Sequence, residues 1–174
     1  MERQEIIDQI KSTLNNCSKT IASDGTYGDG PWTVAVKSCL AKLGEEKGFK
    51  ICTSTKDKLY ETEWLYDLVW YRENPQGFLI DVPLVVESEW KKNLVKDIKF
   101  DFEKLLLARS TLKLMICNCE DSKKVSYLEY FQKAIDVCPL VTSDDLFLIA
   151  ILKLERNHAT DFEFFELSYN GSRN

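Results

Sequence analysis

The sequence predicts an α/β (α+β) fold in which a mixed β-sheet is flanked by helices. Four segments place apolar residues at the spacing of an amphipathic helix, and five shorter segments are dense in apolar residues, as strands are. Along the chain these elements follow in the order α-α-β-β-α-β-α-β-β. Because two adjacent strands come first and helices separate the later ones, both antiparallel and parallel neighbours are expected in the sheet.

The N-terminal part of the chain predicts two helices joined by a loop. Residues 3–21 carry apolar side chains at helical spacing, and the glycine-containing stretch 23–30 is typical of a loop. Pro31 suits the first turn of the second helix, because its missing N–H would have no helical partner there. Gly44 or Gly48 is expected to end that helix.

The middle of the chain predicts a β-hairpin and then the clearest helix. A strand is expected over residues 63–71, with Asp67 inside it, followed by a turn over 74–77 and a second strand over 84–90. Residues 94–109 place one apolar stripe along a helix. The remaining predicted elements are a strand at 112–118, a helix at 125–137 and strands at 145–153 and 162–169.

Length and composition predict one domain spanning residues 1–174. The chain is 44% hydrophobic and 29% charged, which is ordinary for a globular protein. No apolar run approaches the ~20 residues that a membrane-spanning helix needs, and the charged N-terminus does not resemble a signal peptide. We therefore expect a cytoplasmic protein without a membrane partner.

The charge and the cysteines exclude two kinds of site. A net charge of −5 argues against a broad basic surface for nucleic acid, and leaves only local lysine clusters such as Lys91, Lys96 and Lys99. The six cysteines lie mostly among apolar neighbours and are expected to be free. Since the chain has one histidine, His158, and no CxxC, a zinc site is not expected.

Three carboxylates fall in strands that otherwise look buried: Asp67, Glu87 and Glu89. A buried carboxylate without a partner costs several kcal/mol, so such acids are usually paired or bind a metal. Strand alternation puts Glu87 and Glu89 on one face of their strand. These three residues are therefore the candidate site.

The length of the hairpin loop decides whether Asp67 meets Glu87. A loop of only 74–77 would set Asp67 opposite Leu84. Pro83 cannot donate to a ladder and belongs at the start of a strand. If the loop runs through about residue 82, Asp67 falls opposite Glu87, and we predict this register.

An Asp in one strand, then Glu-x-(Lys or another polar residue) at the end of the next, then an amphipathic helix and a buried strand resembles the restriction-endonuclease-like PD-(D/E)xK nuclease superfamily. Asp67 matches its Asp, Glu87 its first acidic residue and Glu89 the position usually held by lysine. The resemblance covers about residues 32–118. It implies that Asp67 and Glu87 hold Mg²⁺ or Mn²⁺, while Glu89 orients or deprotonates the attacking water.

The sequence departs from this pattern where Glu89 replaces the lysine. Some members of the superfamily supply the lysine from the next helix, which points to Lys104. At 100° per residue, however, Lys104 lies about 120° or more from the apolar stripe of its helix, so we expect it to be solvated. Lys91 and Arg109 are further sources of a cation, although a surface role is expected for each.

Two functions follow as hypotheses. The first is a metal-dependent nuclease that hydrolyses phosphodiester bonds, with DNA favoured over RNA as its partner. The second is a non-catalytic binding or regulatory protein that keeps the nuclease fold, in which the acids pair with Lys91, Lys92 or Arg109. Domains this small often gain the walls of a cleft by dimerising, so a homodimer stays open as an expectation.

Overall fold

The computed structural model describes residues 3–25, 28–55, 60, 63–91, 93–155 and 158–171. These residues form four α-helices and a six-stranded sheet. The helices are α1 (Arg3–Ser23), α2 (Asp29–Glu46), α3 (Lys99–Leu107) and α4 (Lys124–Val137). The strands are β1 (Lys50–Thr53), β2 (Leu68–Glu73), β3 (Leu79–Glu89), β4 (Leu112–Asn118), β5 (Leu146–Glu155) and β6 (His158–Leu167).

The strands lie side by side in the order of the chain, from β1 to β6. The pairs β1–β2, β2–β3 and β5–β6 are antiparallel, and the pairs β3–β4 and β4–β5 are parallel. Each parallel pair is connected by a helix, α3 or α4, because parallel neighbours need a crossover. The predicted mixed sheet flanked by helices is confirmed.

Apolar side chains cover both faces of the sheet. One cluster joins α1 and α2 to the residues of β2 and β3 that share a face with Trp70 and Val86. The other joins α3 and α4 to the opposite face, around Val85 and Met115. Because successive strand residues alternate between faces, Glu87 lies on the side of α3 and Ser88 on the side of α2.

Helix α2 begins and ends for identifiable reasons. Pro31 lies in its first turn, as predicted. Gly48, with φ +80°, follows its last turn, where a residue with a β-carbon would be strained. Gly44 lies inside the helix, where the indole of Trp70 packs against it, so Gly48 and not Gly44 marks the end.

Several predicted elements and boundaries were wrong, among them the start of β3, which lies at Leu79 and not at residue 84. Strand β2 begins at Leu68 and not at residue 63, and Asp67 lies in the bend just before it. The helix predicted at 94–109 is divided into a π-helical turn, Leu94–Ile98, and α3. The side chain of Asn93 accepts a hydrogen bond from the backbone N–H of Lys96 at 3.0 Å and so begins the π turn. Strand β1 was not predicted, because four residues carry too little periodicity.

None of the helices in the described part of the chain combines the length and the apolar character that crossing a membrane requires.

Candidate functional site

The register of β2 and β3 brings Asp67 beside Glu87. Leu68 pairs with Val86, so the residues just before and just after this pair lie next to each other. Asp67 and Glu87 are therefore neighbours, as predicted, but a long hairpin loop is not the cause. The loop is short, and two one-residue register shifts between Trp70 and Glu73 move the pairing instead.

Pro83 accounts for part of this irregularity. It lies inside β3, not at its start, in the stretch where β2 and β3 fall out of regular register. The ladder from β3 to β4 begins one residue later, at Leu84. A residue without an N–H is tolerated where the ladder is already interrupted, so the proline marks the bulge and not the loop.

Asp67 is held by hydrogen bonds from two neighbouring strands. Its Oδ2 accepts from the backbone N–H of Ser88 at 2.8 Å and from the Ser88 hydroxyl at 2.7 Å. Its backbone carbonyl accepts from the Thr53 hydroxyl at 2.7 Å. These contacts orient the carboxylate at the end of the sheet. The two bonds from Ser88 use only one of its two oxygens.

Glu87 is buried between the sheet and α3. Its residue is 1% exposed, and its Oε1 lies 2.7 Å from Nζ of Lys104. By distance this contact is an ion pair, although its angles fall outside those of a regular hydrogen bond. Oε1 makes no other hydrogen bond among the described residues. Nζ of Lys104 also lies 2.9 Å from Oδ1 of Asp101 on the same helix.

Burial sets the protonation of this group of charges. It raises the pKa of Glu87 to about 8; Lys104 counteracts this in part, while the charges of Asp67 and Asp101 add to it. The pKa of Lys104 is raised: burial acts against the charged amine, but the carboxylates of Glu87 and Asp101 outweigh it. Glu87 therefore titrates close to neutral pH beside a lysine that stays charged.

The expectation that Lys104 is solvated was wrong. The angular position of its β-carbon is on the flank of α3, as helical geometry requires, but its four-carbon side chain reaches back to Glu87. The amine pairs there with two carboxylates, those of Glu87 and Asp101, which stabilise this orientation of the side chain. An angle measured at the helix axis does not locate an amine at the end of so long a side chain.

Two further residues line the site, and sequence reasoning had not selected either of them. Asp101 precedes Lys104 by three residues, a spacing that puts both on one side of a helix and was readable from the sequence. Tyr66 donates its hydroxyl to the backbone carbonyl of Lys104 at 3.5 Å. Burial raises the pKa of Tyr66, and the charge of Glu87 adds to that effect.

The other predicted residues lie less centrally. Oε1 of Glu89 accepts a hydrogen bond from the backbone N–H of Lys91 at 2.8 Å, so this carboxylate turns back onto its own chain. The amine of Lys91 lies 3.9 Å from Asp97. Arg109 is exposed beyond α3, near the start of β4, whereas Glu87 lies near the end of β3. Lys92 and the side chain of His158 lie outside the described residues.

The described residues contain no group of three histidine, cysteine, aspartate or glutamate side chains placed to hold a metal ion. Asp67 and Glu87 nevertheless offer the oxygen donors that Mg²⁺ prefers, and a Mg²⁺ site commonly has only one or two carboxylates, completed by water and substrate phosphate. Apart from its ion pair with Lys104, Oε1 of Glu87 accepts no regular hydrogen bond from the described residues, so one of its lone pairs is left for such a metal ion. The donor set is thus compatible with Mg²⁺ or Mn²⁺.

The charge constellation at this end of the sheet consists of Asp67, Glu87, Asp101 and Lys104. Comparison with known proteins adds no assignment to it: no protein-family model matches the chain, and no curated protein matches it significantly.

Proposed function

We propose that this protein is a metal-dependent hydrolase of phosphodiester bonds in nucleic acid, with DNA favoured over RNA. The observation that carries the proposal is the 2.7 Å contact between Lys104 and Glu87, beside Asp67. In the nuclease superfamily that the sequence resembles, some members take the site lysine from the helix after the Glu-bearing strand. Lys104 on α3 supports that arrangement, with Glu89 at the usual lysine position.

Asp67 and Glu87 are the residues that would hold the metal. A bound Mg²⁺ or Mn²⁺ would stabilise charge on the phosphate and lower the pKa of an attacking water. Ser88 keeps the Asp67 carboxylate oriented through its two hydrogen bonds. Lys104 supplies a fixed positive charge where a phosphate oxygen gains negative charge, which is the usual role of a cation in such sites.

The charge distribution supports a local rather than a broad contact with nucleic acid. The net charge is −5, and Lys113, one of the basic residues near α3, is buried and paired with Asp145. Lys91 and Lys96 are exposed on the chain between β3 and α3. Their location next to the candidate site suits a phosphate backbone that crosses this end of the sheet.

The alternative, a non-catalytic binding or regulatory protein, is favoured by a different observation. Both acids already have protein partners: Ser88 donates to Asp67, and Lys104 pairs with Glu87. An ion pair at the end of a sheet can be structural, and breaking it would then cost stability. This alternative predicts that neither metal changes the melting temperature and that Glu87→Gln and Lys104→Met, which break the ion pair, are less stable than the wild type.

A cleavage assay separates the two. Labelled single- and double-stranded DNA and RNA oligonucleotides are incubated with the protein in Mg²⁺, in Mn²⁺ and in EDTA. We expect metal-dependent cleavage, reduced at least about 100-fold in Asp67→Asn, Glu87→Gln and Lys104→Met. Lys133→Met, at an exposed lysine of α4, is the control and should cleave like the wild type.

The outcomes against the proposal are equally concrete. A wild type that cleaves none of the four substrates with either metal, and whose melting temperature neither metal changes, would leave the non-catalytic alternative. Cleavage that survives Lys104→Met unchanged would remove Lys104 from the site and, with it, the observation that carries the proposal.

A further inference from the structure

A cavity between α1 and α2 contains a pair of cysteines. Its volume is about 600 Å³, and it is lined by residues of both helices, including Cys17, Cys39 and Lys42. Cys17 is 5% exposed, whereas Cys39 is half-buried and borders the cavity from α2. The lining residues belong to α1, α2 and the chain between them, which pack on one face of the sheet, whereas Glu87 lies on the opposite face with α3.

The two thiols line the same cavity, Cys17 from α1 and Cys39 from α2, and their acidities differ. The interaction with Cys39 raises the pKa of the Cys17 thiol above the ordinary range, and burial adds to this. The same interaction lowers the pKa of Cys39 to about 7, assisted by the charge of Lys42 and opposed by burial. At neutral pH Cys39 is therefore partly thiolate, while Cys17 remains a protonated thiol.

We propose that Cys39 and Cys17 form a dithiol that reacts with hydroperoxides and closes to a disulfide between α1 and α2. The cavity gives a small oxidant access to Cys39, and Cys17 lines the same cavity from the other helix. A disulfide needs an S–S distance of about 2.05 Å, so closure requires the two side chains to turn toward each other within this cavity. The modification is independent of the proposed nuclease site.

The chemistry balances in two steps. The Cys39 thiolate attacks one oxygen of hydrogen peroxide, the O–O bond breaks and hydroxide leaves, which gives a sulfenic acid at Cys39. The sulfur of Cys17 then attacks the sulfenic sulfur, the S–O bond breaks, and the departing hydroxide takes the Cys17 proton as water. One peroxide is reduced to two waters, and the two thiols are oxidised to one disulfide.

The other cysteines provide the contrast. Cys117 is fully buried, and burial raises the pKa of its thiol beyond the ordinary range. Cys138, at the end of α4, is half-buried like Cys39, but it lies on the other face of the sheet. A reaction governed by exposure alone would modify Cys138 as readily as Cys39. Selective oxidation of Cys39 would instead reflect its location beside Cys17 in the cavity.

The test is peptide mapping of the whole chain after brief treatment with hydrogen peroxide. Free thiols are blocked with iodoacetamide, and the denatured protein is digested with trypsin. We expect one linked product, residues 12–19 joined to residues 38–42, lighter by two hydrogens than the two reduced peptides together and separated by dithiothreitol. Absence of this product from peroxide-treated wild type, or linkage spread evenly over other cysteine pairs, would overturn the proposal.

Single-cysteine variants show which of the two cysteines is oxidised first. In Cys17→Ser the linked product should be lost, and dimedone should trap a sulfenic acid at Cys39. In Cys39→Ser the linked product should be lost, and dimedone should not label Cys17. Cys138→Ser is the matched control and should give the wild-type pattern; if it abolishes the linked product, the assignment is wrong. Cys17→Ala and Cys39→Ala repeat the experiment if a serine variant does not fold by circular dichroism.

Discussion

Ser88 donates both its backbone N–H and its hydroxyl to a single oxygen of Asp67, at 2.8 and 2.7 Å. This arrangement joins the bend before β2 to the end of β3 and makes Asp67 a structural residue as well as a candidate ligand. The two roles predict different results for different substitutions. Alanine removes the acceptor and the charge, whereas asparagine removes the charge and keeps an acceptor oxygen.

We expect Asp67→Ala to lower the free energy of unfolding by about 1–3 kcal/mol at pH 6, because the N–H of Ser88 loses its partner in a half-buried place. Asp67→Asn should cost clearly less. Urea denaturation measures both, and Asp81→Ala is the control, since its pair with Arg72 is exposed and 3.5 Å long. Equal losses in the alanine and asparagine variants would contradict the structural role.

The raised pKa of Glu87 predicts a stability that falls as pH rises. The folded chain holds this proton up to a pKa of about 8, whereas the ordinary value is 4.5. Between these values the folded state binds more protons than the unfolded state, so the free energy of unfolding decreases with pH across this window. Glu87→Gln carries no such proton and should not show that part of the decrease.

In EDTA, Glu87→Gln should therefore gain stability relative to the wild type by on the order of 2–4 kcal/mol between pH 5 and pH 9. Urea denaturation at steps of one pH unit gives this difference. Glu103→Gln, on the same helix and paired with Lys99, is the control and should not reproduce the gain. A difference between Glu87→Gln and wild type that stays constant with pH would show that Glu87 is ionised throughout.

Metal binding, which rests on the proposed function, should be linked to the same proton. Glu87 must lose its proton to become a ligand, so we expect the affinity for Mn²⁺ to increase from pH 6 to pH 9 with release of protons. Calorimetric titration in two buffers of different ionisation enthalpy measures that release. It should disappear in Glu87→Gln and persist in Asp81→Asn. Mn²⁺ affinity that is independent of pH in the wild type would place the ion elsewhere.

The order of elements could be predicted because periodicity and turn residues act locally. Helices α1, α2 and α4 and strand β4 lie close to their predicted ranges, and each has a long or dense apolar pattern. Strand β1 escaped prediction because its four residues form a strand only through pairing with β2. The start of β2 was placed too early, since the apolar run at 64–66 lies in the segment before the strand, which bends at 65–67.

The candidate site could be predicted only in part, because its geometry depends on non-local features. The neighbourhood of Asp67 and Glu87 follows from two register shifts that Pro83 hints at but does not specify. The direction of Lys104 depends on two acids, one of them on another element. Side-chain reach of this kind is set by tertiary contacts, and no spacing rule along one helix contains it.

The packing of α3 predicts unequal effects for two phenylalanines two residues apart. Phe102 is fully buried, with its ring centroid 4.3 Å from that of Phe131 and 5.7 Å from that of Phe147. Phe102→Ala should lower the free energy of unfolding by about 3–5 kcal/mol. Phe100 is 59% exposed, so Phe100→Ala should change it by less than about 0.5 kcal/mol. Similar losses in urea denaturation would mean that α3 is rotated.

The contact of α2 with β2 predicts opposite effects for two glycines of one helix. A β-carbon at Gly44 would lie 2.5 Å from Nε1 of Trp70, whose N–H donates to the carbonyl of Leu40 at 3.1 Å. Gly44→Ala should cost about 1–3 kcal/mol, because overpacking outweighs the better helix propensity of alanine. A β-carbon at Gly30 meets nothing within 4 Å, so Gly30→Ala should leave stability unchanged or raise it by up to about 1 kcal/mol. Thermal and urea unfolding of both variants decide the matter. A Gly44→Ala protein as stable as Gly30→Ala would mean that the indole of Trp70 does not pack against α2 at this turn.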